Sequence, residues 1–175
     1  MNDQLWSKAR LTRNSMSIPA LVGIGLGGYA CARLSGVAGV LGACVVGALC
    51  AAAAVDWLTR ILPDPLLLIA YTFALGASSS GSELLHGVAT GLGGLLLGHM
   101  LHRGWGVGLG DAKLLGVLGL WLGEPTALLG ALVAASLALG LHSFLMQAFR
   151  GIDPRAPVPL GPWLLGGAWL VAALI

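Results

Sequence analysis

Apolar residues in this chain fall in long unbroken runs separated by short polar punctuation, not in the alternation of a half-buried strand. The runs cover approximately Met16 to Ala32, Gly36 to Val55, Pro65 to Ala77, Leu84 to Leu101, Trp105 or Ala112 to Gly123, Thr126 to Phe149, and Leu160 to Ile175. A helix needs about 20 residues to cross about 30 Å of hydrocarbon, and some of these runs reach that length while others fall short. The pattern predicts an all-α, polytopic transmembrane helix bundle of about seven spans. The connections SSSGSE and GEPT are too short to hold a second domain, so residues 1–175 are expected to form a single integral-membrane domain.

Composition agrees with the pattern. With 57% of its 175 residues hydrophobic and only 9% charged, the chain cannot build the mixed, charged surface of a soluble domain. The charges are few, but their positions orient the bundle. If the N-terminus is cytoplasmic, Lys8, Arg10, Arg13, Arg60, Arg103, Lys113, Arg150 and Arg155 all lie inside and only Arg33 lies outside, as the excess of Lys and Arg on cytoplasmic loops requires. Residues 1–15 are then a short cytoplasmic tail. The basic segment before the first run resembles the start of a signal peptide, but no clear A-x-A site follows it and the next run begins almost at once, so an uncleaved first span is the reading adopted. The net charge of +2 is thus an orientation signal, and no basic face points to nucleic acid.

Glycine is abundant, at 28 residues, and it is patterned. Gly87, Gly91, Gly94 and Gly98 share one side of the fourth run, a spacing that lets helix backbones approach closely. Such a stripe predicts packing and no activity. Cys31, Cys44 and Cys50 lie within or beside apolar runs without C-x-x-C spacing, so neither zinc nor a disulfide framework is indicated.

Chemistry has to come from ionisable groups at or below the membrane edge, where a charge is expensive and is retained for work. Of the seven acidic residues, Asp3, Glu83, Glu124 and Asp153 fall in tails or loops and read as solvated. Asp56, Asp64 and Asp111 remain, all on the predicted cytoplasmic side. Asp64, between Pro63 and Pro65, reads as a helix N-cap or turn residue. Asp56 ends a helix whose last turn, Ala51 to Ala54, is small enough to leave room beside the carboxylate, and an ion pair with Arg60 is its ordinary explanation.

Asp111 is harder to explain structurally. A helix from Ala112 to Gly123 would be only about 18 Å long. Either the bilayer thins there or the glycine-rich 105–110 segment also enters it, which would place Asp111 below the surface beside a wet cavity. Two aspartates meeting at such an edge can share one proton, one acting as general base toward water and the other as acid toward a carbonyl, which is the chemistry of aspartic proteolysis.

The residues around these aspartates also resemble a known family. GLGDAKLLGVLGLWLG, Gly108 to Gly123, is similar to the G-x-G-D-x-K signature and following helix of type IV prepilin leader peptidases. DWLTRILPDPLLL from Asp56 resembles that family's first-aspartate segment, and PVPLGPWL, Pro157 to Leu164, its terminal proline-glycine-proline motif, with Leu160 in place of the commoner Phe. The resemblance runs from about residue 36 to the end. It implies that Asp56 and Asp111 are the catalytic pair and that Gly108 and Gly110 shape the loop carrying Asp111. Lys113, Asp64, Pro159, Gly161 and Pro162 would be supporting motif residues.

The resemblance further implies cleavage after a glycine in the short basic leader of prepilins or pseudopilins, at the cytoplasmic face of a bacterial inner membrane. Substrates, membrane lipid and pilus or secretion assembly components would be the partners, and no cofactor or metal would be needed. The insertion with two paired-cysteine motifs that accompanies N-methyltransferase activity has no counterpart here, which points to the short, peptidase-type form.

The remaining polar groups carry less. Lys113 sits two residues from Asp111, where helix geometry does not turn the two toward each other, and it reads as a snorkelling lysine that could also bias the pair or meet substrate. His99 and His102 are one turn apart but lack further metal ligands, so an interfacial or capping role is expected; His86 and His142 stand apart. A small proton-coupled transporter using the same carboxylates, and a catalytically silent pilus-assembly partner, are the competing functional classes.

Overall fold

A computed structural model describes residues 36–78, 80–150 and 160–174. Within them the chain forms α1 (Val37–Thr59), α2 (Asp64–Ala77), α3 (Gly81–Trp105), α4 (Leu109–Leu122), α5 (Pro125–Arg150) and α6 (Gly161–Leu174). Each covers one of the apolar runs. The first run, Met16 to Ala32, and the 1–15 tail lie outside the described residues, as do Pro157 and Pro159. The chain is an all-helical, polytopic membrane-type protein, and α1, α3 and residues Pro125–Phe149 of α5 are long and apolar enough to cross a bilayer.

Local chemistry sets the helix ends. Ser80 caps α3 by accepting a hydrogen bond from the Glu83 N–H at 3.2 Å, an S-x-x-E start, and the helix closes at Gly106 in the left-handed region (φ 71°). Pro65 sits in the first turn of α2, where its missing N–H costs nothing. Asp64 is not the cap, however. The capping position belongs to Pro63, and Asp64 is the first helical residue, with its carboxylate directed elsewhere.

The helices pack chiefly as the pairs α1 with α2, α3 with α4 and α5 with α6, and α4 also meets α2, α5 and α6. Leu114, Leu115, Val117, Leu118 and Leu120 of α4 are all buried. This settles how so short a helix is accommodated. It has 14 residues, about 21 Å at 1.5 Å each, and protein surrounds it, so it need not match the hydrocarbon thickness. It also starts earlier than Ala112, at Leu109, which makes Asp111 a first-turn residue of a helix. Outward faces such as Leu129, Val133, Leu137 and Leu141 of α5 are apolar and exposed, as a lipid-facing surface would be.

The glycine stripe does what its spacing predicts. A Cβ at Gly87 would lie 2.8 Å from the Leu120 carbonyl oxygen, one at Gly94 2.5 Å from that of Leu115, and one at Gly98 2.5 Å from the Ala112 Cα. The α3 and α4 backbones therefore touch along a line that ends one residue from Asp111. We expect Gly98→Ala to destabilise the bundle by about 1–3 kcal/mol through overpacking. Gly93→Ala, on the same helix with no heavy atom within 4 Å of the new methyl, should be neutral or slightly stabilising. Thermal unfolding of the two variants in detergent checks the contrast.

Candidate functional site

Asp56 lies in the last turn of α1 and is 5% exposed. It is one of only two buried polar or charged residues among those described, the other being Thr90, whose hydroxyl is satisfied by the Gly123 carbonyl at 3.1 Å. Asp56 is less well provided for. Its carboxylate faces the Gly161 backbone amide, yet its Oδ2 accepts no hydrogen bond among the described residues. A carboxylate beside a helix C-terminus, buried and incompletely paired, is destabilising in itself.

The room that the alanine turn was expected to leave is filled by the start of α6. A Cβ on Gly161 would stand 2.7 Å from Asp56 Oδ2. No ion pair joins Asp56 to Arg60. Instead the Arg60 N–H donates to the Asp56 carbonyl at 2.7 Å, and Arg60 adopts the left-handed conformation (φ 58°). It is the one non-glycine residue with positive φ among those described, a conformation uncommon for a side chain of its size. The turn it makes sends the chain through Ile61, Leu62 and Pro63 into α2.

Asp111 is reached from the other side. After Gly106 reverses the chain, Val107 and Gly108 lead into α4, and the His102 Nδ1–H donates to the Val107 carbonyl at 2.5 Å, tying this loop to the end of α3. His102 thus ties down the loop without capping a carbonyl of α3, and its ring stacks on that of His99 with centroids 6.3 Å apart.

Gly108 and Gly110 act differently from the loop-bending role expected of them. Gly108 has dihedrals open to any residue (φ −60°, ψ 142°), and Gly110 is already helical. Both are small for reasons of space. A Cβ at Gly108 would lie 3.0 Å from Asp111 Oδ2, and one at Gly110 would lie 2.8 Å from the Leu62 Cβ.

Asp56 and Asp111 are brought together in one cavity of about 520 Å³, lined also by Arg60, Ile61, Leu62, Asp64 and Leu109. The two carboxylates are close enough for the charge of Asp56 to reach Asp111. The cavity lies where the C-terminal end of α1 meets the N-terminal ends of α2 and α4.

Lys113 points away from the pair. Its Nζ donates to both Oδ1 and Oδ2 of Asp64 at 2.7 Å, joining the first turn of α2 to α4 just past its own first turn. Sequence reasoning missed this bridge, although its signal was present in two opposite charges near helix starts on the same predicted face. It also missed Leu62, which no polarity marks. Gly161 and Pro162 begin α6, and of the two it is Gly161 that meets the site. No group of three or more His, Cys, Asp or Glu among the described residues is placed to hold a metal ion.

A helical bundle with a cleft at one end, lined by two carboxylates from separate helices, makes this a polytopic membrane protein with a candidate site at the bundle end. Residues 43–144 match the Type IV leader peptidase family, and the chain belongs to that family. It is 32% identical over 134 residues to the prepilin leader peptidase/N-methyltransferase of Xanthomonas campestris pv. campestris, an alignment covering 70% of this chain and 46% of that protein. The chain thus spans about half the length of this curated relative. No solved structure matches it.

Proposed function

We propose that this chain is a membrane aspartic endopeptidase that removes the short basic leader of type IV prepilins or pseudopilins, cutting after a glycine just ahead of a hydrophobic helix. The observation that carries the proposal is the convergence of Asp56 and Asp111, from two different helices, on one cavity in a chain of the Type IV leader peptidase family. One member of the pair, ionised, takes a proton from water as its oxygen attacks the scissile carbonyl carbon. The other, protonated, gives its proton to the carbonyl oxygen. Collapse of the resulting gem-diol, with proton transfer to the amide nitrogen, breaks the C–N bond and leaves a leader carboxylate and a new N-terminal amine. The two roles exchange between half-reactions, and no metal or cofactor is required.

The position of the cleft suits such a substrate. A hydrophobic helix can stay in the bilayer beside the bundle while the peptide bond ahead of it reaches a cavity at the bundle end. Arg60, Arg103 and Lys113 gather at that end, and the Lys and Arg bias supports reading it as the cytoplasmic face, in the bacterial inner membrane that the family resemblance implies. Pilus or secretion assembly components would be its neighbours there. Methyl transfer, named for the Xanthomonas relative, is outside the proposal because the three cysteines here form no paired motif.

The test is co-expression with a type IV prepilin and a gel assay for leader removal. The expected result is a shift to the mature form that depends on this chain. An unchanged prepilin together with proton flux in proteoliposomes would overturn the peptidase reading in favour of transport.

A further inference from the structure

Asp111 is aimed by its neighbours. Gly110, just before it, abuts Leu62; Ala112, just after it, backs onto Gly98 of α3; and Lys113 reaches Asp64 of α2. At 3.6 residues per turn, Lys113 stands about 200° around the helix from Asp111, so it cannot be a direct partner, but it can fix the rotation of the first turn.

The fixed point is also wired to the other aspartate. Asp64 is four residues beyond Arg60, whose N–H is bonded to the Asp56 carbonyl, and the intervening Leu62 lies against Gly110 and within 3.6 Å of where a Gly161 Cβ would be. A short strap, residues 60–64, thus runs from the helix end bearing Asp56 to the lysine of the helix bearing Asp111.

We infer that Asp64 and Lys113 are a positioning pair which, through this strap, sets the separation and orientation of Asp56 and Asp111. The inference rests on the peptidase reading above. Both side chains are well exposed, at 46% for Lys113 and 67% for Asp64, so the pair adds little to stability, as exposed ion pairs do. Its effect is geometric. A displacement of about 1 Å at a reacting group can cost about a hundredfold in rate, and a loosened first turn of α4 is a displacement of that kind.

The experiment measures prepilin cleavage by the full chain in membranes for Asp64→Asn, Lys113→Gln and the exchange variant Asp64→Lys/Lys113→Asp. Each single variant is expected to lose about tenfold in kcat with KM little changed, because the pair aims the dyad without holding substrate. The exchange variant, which restores opposite charges, should recover most of that loss, while all three unfold at the wild-type temperature. An exchange variant no better than the singles, a loss confined to KM, or wild-type kcat in both singles overturns the positioning role. Absence of cleavage by the wild-type chain in the same membranes overturns the peptidase reading instead, so the two failures are distinct.

Discussion

Asp56→Asn and Asp111→Asn should each lower the rate of leader cleavage by at least about a thousandfold, and the double variant should be no slower than the singles. Asparagine keeps the shape of aspartate and loses only the capacity to hold and release a proton. One remaining carboxylate cannot serve as acid and base in the same step, which is why the losses do not add. Initial rates of prepilin cleavage in membranes, at matched protein levels, measure the effect. Substantial cleavage by both single variants would sink the assignment.

Asp56 offers a second readout. It is buried, near a helix C-terminus, with an oxygen that nothing in the described structure satisfies. Truncation to alanine should therefore leave the unfolding temperature unchanged or raise it, even as activity disappears. A structural carboxylate would show the opposite pattern.

Much of the architecture was legible because bilayer and backbone impose so few solutions. The apolar runs mark α1 to α6 within a few residues of their ends, and the small-residue spacing of Gly87, Gly91, Gly94 and Gly98 foretells the α3–α4 contact. Charge bias placed Asp56, Asp64 and Asp111 on one face, and all three line the same cavity.

What escaped was pairing between elements. Periodicity says that Asp64 starts a helix but not that a lysine 49 positions later would take its carboxylate. The length of α4 was read against the bilayer, whereas its burial among α2, α3, α5 and α6 is what decides its fate. Glycine, too, is ambiguous in sequence. Gly108 and Gly110 looked like bending residues, but the bend is at Gly106, and the other two are small because Asp111 and Leu62 occupy the space where a Cβ would be.

The same reasoning gives Gly161 a physical role that motif resemblance alone does not supply. A methyl group there would lie 2.7 Å from Asp56 Oδ2, closer than such atoms can approach, so either the carboxylate must rotate or the start of α6 must withdraw. Rotation is the easier course, since α6 is held by Leu164, Leu165, Ala168 and Trp169 in the core. Gly161→Ala should thus turn Asp56 away from Asp111 and lower kcat by about a hundredfold, with KM retained. Stability should change by less than about 1 kcal/mol, because alanine favours the helix it starts and offsets part of the crowding. Gly166→Ala, on the same helix with no heavy atom within 4 Å, should cleave at the wild-type rate. Steady-state cleavage and thermal unfolding of the two variants separate the cases. A Gly161→Ala enzyme as fast as wild type would mean that Asp56 does not react from the orientation seen here, and the dyad would have to be assembled by a movement of α6 that this close packing now opposes.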